Sequence, residues 1–122
     1  MPVRWNVDHS RRLVEIIAEG ACEFRDFVKM LDAVEAENAV PYKKLLDVSR
    51  ATGKMTGDNL SAAAERVARF RSAGPFAVVV AGGPTDGLAR LFVLLAEAQG
   101  RGRVFRVEAE ARQWLDVQAS PE

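Results

Sequence analysis

The chain has little of what most catalytic and metal sites need. It is 122 residues long, with one cysteine, one histidine and one tyrosine. A single Cys22 cannot form an internal disulfide, and it is compatible with a reducing compartment. A lone His9 excludes a multi-histidine metal centre. One His and one Cys also fall short of the three or four N/S ligands of a zinc site. The 17 basic and 17 acidic side chains cancel, so the basic excess that drives binding to nucleic acid or anionic membrane is missing. No aromatic stripe accompanies Arg66, Arg69, Arg71, Arg101 and Arg103, so the stacking platform of single-strand binders is absent as well. The longest charge-free apolar runs, 75–84 and 91–96, are far below the ~20 residues that span a bilayer. The first residues have no signal-peptide character. The expectation is a cytoplasmic protein with no cofactor, no metal and no integral membrane segment.

What is present is the composition of a globular domain, 48% hydrophobic and 28% charged. Residues 1–122 are the size of one domain, with residues 118–122 expected to fray. Val3, Trp5 and Val7 alternate with polar residues, the period of a half-buried strand. The polar turn Asp8–Arg12 separates them from Leu13–Ala18, and the two runs predict an opening hairpin. His9 falls in that turn, where an exposed turn residue is expected. Phe24, Phe27, Val28 and Leu31 repeat at helical spacing and predict a helix over 22–37. It is ended by Asn38–Pro41.

Residues 44–48 form the next strand. Thr56 can cap a second helix, with Leu60, Ala63, Ala64, Val67 and Phe70 on its inner face. Residues 76–81 are apolar throughout, which predicts a strand covered on both sides and makes it the candidate central strand. Thr85 can cap a third helix to about residue 99. Residues 104–107 form a final strand, and Ala111, Trp114 and Leu115 mark a closing helix. The order is ββαβαβαβα. The predicted fold is α/β: a single domain with a mostly parallel sheet of four or five strands, opened by a β-hairpin and packed by about four helices.

Chemical motifs are few. Gly53–Lys54 resembles the tail of a phosphate-binding loop, but Val48 stands at the first glycine position and Met55 where Ser or Thr would bind magnesium. The run 81–87 joins a strand to a helix but lacks the dinucleotide-binding spacing, and it reads as turn chemistry. The third helix is more informative. Leu88, Leu91, Phe92 and Leu95 form its inner stripe, while Ala89, Val93 and Leu94 extend apolar surface to another side. That surface is a candidate homodimer contact.

The element order, the strand Leu45-Leu46-Asp47-Val48-Ser49 and the loop-to-helix step after it resemble the STAS domain of bacterial anti-sigma-factor antagonists. The chain looks most like their small stand-alone SpoIIAA-like relatives, which share a broad fold resemblance with CRAL-TRIO lipid-binding domains. The resemblance covers about residues 13–115. In the antagonists a Leu-Asp-Leu-Ser strand leads to an Asp-Ser-Ser-Gly motif whose Ser is phosphorylated. Leu46-Asp47-Val48-Ser49 matches the strand, and Met55-Thr56-Gly57-Asp58 falls on the motif. Thr56 therefore supplies a hydroxyl where the phosphorylated Ser stands, while Met55 replaces the Asp and the rest of the motif is not kept. The resemblance implies a non-enzymatic regulatory or protein-binding module. Its partner-binding or phospho-switch loop would comprise Asp47, Ser49, Arg50, Thr56 and Asp58. The alternative it implies is a carrier or sensor of a small apolar, lipid-like ligand. Met30, Met55, Leu60, Phe76 and Phe92 would line its pocket, unless they are plain core.

Overall fold

The computed structural model describes residues 2–51, 74–81 and 102–118. Seven elements fall within them: β1 (Val3–Asp8), β2 (Leu13–Gly20), α1 (Phe24–Ala36), β3 (Lys43–Ala51), β4 (Phe76–Val79), β5 (Gly102–Phe105) and α2 (Glu108–Val117). The five strands form one sheet in the order β1-β2-β3-β4-β5. β1 and β2 are an antiparallel hairpin, and β2 to β5 are parallel. The opening hairpin and the mostly parallel sheet thus match the sequence reading. The expected second and third helices lie outside the described residues.

Two local expectations are corrected and a third is extended. β4 lies inside the sheet, but its middle strand is β3. Ala77 to Val80 are buried, so the apolar run correctly signalled cover on both faces, which β3 and β4 share. The last strand lies two residues earlier than its apolar run suggests, because Arg106 is a bend and Val107 is the N-cap of α2. On α1, the buried positions are Met30 and Val34, with Phe27 and Leu31 packed beside them. The expected Phe27 and Leu31 are thus on the packed stripe, which also takes in Met30 and Val34. A short strand-to-helix connection, capped by Asp26 accepting the Glu23 backbone N–H at 2.8 Å, leads into this helix.

Alternation along the strands divides the core into two layers. Val3, Val14, Ile16, Ala18, Leu46, Val78 and Val80 face α1 and bury Met30 and Val34. Leu13, Leu45, Ala77 and Val79 face the other way, against Ala111 and Leu115 of α2. Phe105 and Trp114 close that second layer with ring centroids 5.8 Å apart. One ion pair fastens α2 further across the sheet. Arg112 donates to Glu15 of β2 at 2.7 Å and reaches Glu108 at 3.4 Å. These carboxylates, Glu15 foremost, hold the guanidinium more firmly protonated than usual.

The N-terminal edge of the parallel strands is the tightest part of the fold. α1 is followed, past its cap Glu37, by Asn38, which takes a left-handed φ of 57°, and the Ala39 N–H closes back on the Val34 carbonyl at 3.0 Å. The chain then crosses residues 74–75. The Gly74 N–H donates to the Val40 carbonyl at 3.3 Å, and the Lys44 N–H donates to the Pro75 carbonyl at 2.8 Å. A Cβ at Gly74 would lie 2.4 Å from the carbonyl oxygens of both Pro41 and Tyr42. Glycine is required there for close approach. The Lys44 ammonium turns back into this crossing and donates to the Val40 carbonyl and, at 2.9 Å, to that of Tyr42. Burial pulls its pKa down to about 8.

Two outcomes follow from this crossing. Gly74→Ala forces two backbone carbonyls apart and should lower unfolding stability by about 1–3 kcal/mol, the range for overpacking, as read by urea denaturation. The folded Lys44 amine titrates near 8 and the unfolded one near its ordinary 10.5. Between those values the unfolded chain binds more protons, so the lysine's burial penalty is full below pH 8 and fades as pH rises. The stability of wild type relative to Lys44→Met should therefore increase by about 1–3 kcal/mol from pH 7.5 to 10.5. A flat difference would show that Lys44 is not desolvated.

Candidate functional site

In open α/β sheets, ligands and partners gather beyond the carboxyl ends of the parallel strands. In this chain that edge is formed by the ends of β2, β3, β4 and β5. β3 is the longest strand, and its last residues are irregular. Ile17 pairs with Asp47, but Glu19 pairs with Arg50. Two steps on β2 therefore face three on β3, which is a β-bulge.

The local sequence explains it. Asp47 Oδ1 accepts the backbone N–H of Ser49 at 2.9 Å and its hydroxyl at 2.6 Å. An Asp two residues before a Ser offers the backbone this alternative to a ladder bond. The ladder slips by one residue, and the strand emerges with Arg50 exposed. Asp47 and Ser49 are half-buried. The Ser49 hydroxyl has given its only proton to Asp47, which leaves it an acceptor toward anything arriving from solvent. Beside it, Glu19 is paired with Arg4 of β1.

Asp47, Ser49 and Arg50 are thus brought together by one bulge at the carboxyl edge. Thr56 and Asp58, the rest of the expected loop, lie outside the described residues. So do Ala89, Val93 and Leu94 of the expected dimer surface, and Met55, Leu60 and Phe92 of the expected pocket. Met30 and Phe76 are both on the α1 side of the sheet and belong to one apolar layer. Met30 is buried within it, and Phe76 packs against it from the start of β4. Phe76 lies beside Lys44 in the register, at the opposite end from the bulge.

Other titratable groups have structural partners. The Cys22 thiol is buried and points at the carbonyls of Gly20, Pro2 and Glu19, 3.5–3.7 Å away. Burial and the nearby Asp26 carboxylate push its pKa up, so it is kept as thiol rather than nucleophilic thiolate. His9 lies in the hairpin turn and is exposed, as expected, but it is not isolated. Its Nδ1 is 2.8 Å from the Tyr42 hydroxyl, and its Nε2 is 3.4 Å from Glu37. Arg12, at a φ of 53°, stands over the Tyr42 ring. This network ties the hairpin turn, the end of α1 and the start of β3 together at the N-terminal edge. No local pattern signals it, because His9 and Tyr42 are 33 residues apart. Among the described residues no group of three His, Cys, Asp or Glu could hold a metal. Nor is any described helix long and apolar enough to cross a membrane.

No family model matches the chain, and no curated protein matches it. A solved structure does. It is an uncharacterised protein of the DUF3478 family from Shewanella loihica PV-4, described as having a SpoIIAA-like fold. The two superpose with a TM-score of 0.63 over 93% of this chain and 93% of that one, at 16% sequence identity. At that identity the likeness is one of architecture. The hairpin-opened parallel sheet with α1 on one face and α2 on the other is a SpoIIAA-like fold.

Proposed function

We propose that this chain is a non-catalytic, cytoplasmic regulatory module of the STAS type that binds a protein partner at the carboxyl edge of β3. The observation that carries the reading is the bulge. Asp47 and Ser49 are fixed against each other, and Arg50 is delivered to solvent where the chain enters its next segment. A charged side chain on a rigid strand end, next to a hydroxyl with accepting capacity, can specify a partner's register. Thr56 and Asp58 follow within a few residues in the sequence and belong to the same proposed loop. A phosphate on Thr56 would alter the charge of that surface and so the partner's affinity.

The residue chemistry supports binding over catalysis. The Cys22 thiol is held protonated by its surroundings, and the Ser49 proton is given to an aspartate with no histidine beside it. His9, the chain's one imidazole, stands at the far edge of the sheet. The carrier reading draws support only from Met30 and Phe76 sharing one layer, where Met30 is packed as core.

Affinity capture from the host, with wild-type, Arg50→Glu and Thr56→Glu chains as bait, tests the reading. A protein retained by wild type should be lost by about tenfold or more from both variants, the scale of a charge reversal at the centre of a contact. Retention unchanged by both, and by Thr56→Ala with Asp58→Ala, would overturn it. Native mass spectrometry of gently purified protein separates the alternative. Extra mass lost on denaturation and identified as an apolar compound would favour the carrier.

A further inference from the structure

We propose that the outer edge of β1 pairs with the same edge of a second copy of this chain, antiparallel about a two-fold axis through Asn6. This stands independently of the partner-binding reading, since β1 lies at the far side of the sheet from β4 and β5.

The register shows which main-chain groups are available. β1 residues pair with β2 so that positions sum to 21, from Val3 with Ala18 to Asp8 with Leu13. The Glu19 N–H donates to the Pro2 carbonyl at 2.8 Å, which makes Pro2 and Glu19 a hydrogen-bonded pair. In an antiparallel ladder such pairs alternate. Positions 4, 6 and 8 therefore turn their N–H and C=O toward β2, while Val3, Trp5 and Val7 turn theirs outward. β1 is the edge strand, and among the described residues nothing pairs with the outward groups of Trp5 and Val7. Val3 is 1% exposed, so its own edge is already covered. The usable stretch is Trp5 to Val7.

That stretch allows one self-pairing that uses both Trp5 and Val7 without Val3 or the turn residue His9. Centring the axis on Trp5 would set Val3 against Val7 of the second copy and require the covered group. Centring it on Asn6 sets Trp5 against Val7 and Val7 against Trp5, two hydrogen-bonded pairs with four main-chain bonds. On the open face the same register places Arg4 opposite Asp8, twice. Both charges are in place: Arg4 is exposed and already meets an acid, Glu19. Asp8 is held ionised by the N–H groups of Arg11 and Ser10 and the Ser10 hydroxyl, all on Oδ1. Its second oxygen takes none of these bonds. On the other face Trp5 would pack on Val7, continuing the apolar layer under α1. Opposite charges and an aromatic on a β-branched residue are the favourable cross-strand pairs, and the contact is isologous, as a two-fold dimer requires.

Cysteine trapping reads the register directly. Asn6 would face its own copy at a non-hydrogen-bonded position, with Cα atoms ~4.5 Å apart, within disulfide reach. Asn6→Cys in the full chain, in a glutathione redox buffer, should form a covalent dimer roughly tenfold or more faster than Ile17→Cys, because a docked pair reacts at high effective concentration. Ile17 is 39% exposed on the same face but one strand inward. The native Cys22 is buried and serves both variants as common background. Adding Val7→Pro removes an outward N–H that β2 does not use, and should abolish the fast dimer. Adding Arg4→Glu sets acid against Asp8 and should slow it. Circular dichroism confirms that the variants fold. Cross-linking of Asn6→Cys no faster than Ile17→Cys, or unaffected by both added substitutions, would overturn the proposal. So would faster trapping at Trp5→Cys, which belongs to the other register.

Discussion

The passage of residues 74–75 across residues 39–44 constrains everything else in the sheet. β3 and β4 can align only if two backbones come closer than any side chain permits, and Gly74 supplies that approach. The contact fixes where β4 starts relative to β3, with Lys44 opposite Phe76. Because side chains alternate with a period of two, this one alignment decides that Val78 and Val80 face α1 while Ala77 and Val79 face α2. A slip by one residue would exchange the two layers. The crossing also gathers carbonyl oxygens, and Lys44 donates to two of them at the cost of desolvating an ammonium. The fold accepts a strained titration at this edge in return for a single register.

The opposite edge of the sheet is organised by different means. There the ladder relaxes instead of tightening. Asp47 takes over a backbone N–H, the strand gains a residue, and Arg50 emerges into solvent. The N-terminal edge therefore holds the architecture, and the C-terminal edge is where the surface can vary without disturbing the core. On the proposed reading, that separation lets the partner surface change without changing the strand register.

The sequence announced most of the elements, and the reasons for its misses are specific. β1 and β2 were legible because one face of the hairpin is polar and alternation shows. β4 was legible as a covered strand, but composition cannot rank it against β3, whose polar Lys44, Asp47 and Ser49 disguise an equally interior strand. The α1 stripe takes in Met30 and Val34, which lie at the same helical spacing as Phe27 and Leu31. The final strand ended early because the apolar Val107 serves as a helix cap. At the site, the Asp-x-Ser spacing of Asp47 and Ser49 was quoted as a motif, and its physical meaning was an Asx-type turn within a strand. The requirement for glycine at position 74 depends on Pro41 and Tyr42, more than thirty residues earlier. The pairs Glu15–Arg112 and His9–Tyr42 depend on distances in space that no local pattern encodes.

Glu15 and Arg112 are 97 residues apart in the chain, and that separation bears on the order of assembly. The hairpin and α1 are local structures with little loop closure to overcome. The second core layer requires the last helix to return to strands formed near the beginning, which is entropically slow. β2 is buried on one face by its near neighbours and anchored on the other by α2. A nascent chain would present a half-covered β2 until α2 arrived, so the second core layer closes only after the first has formed.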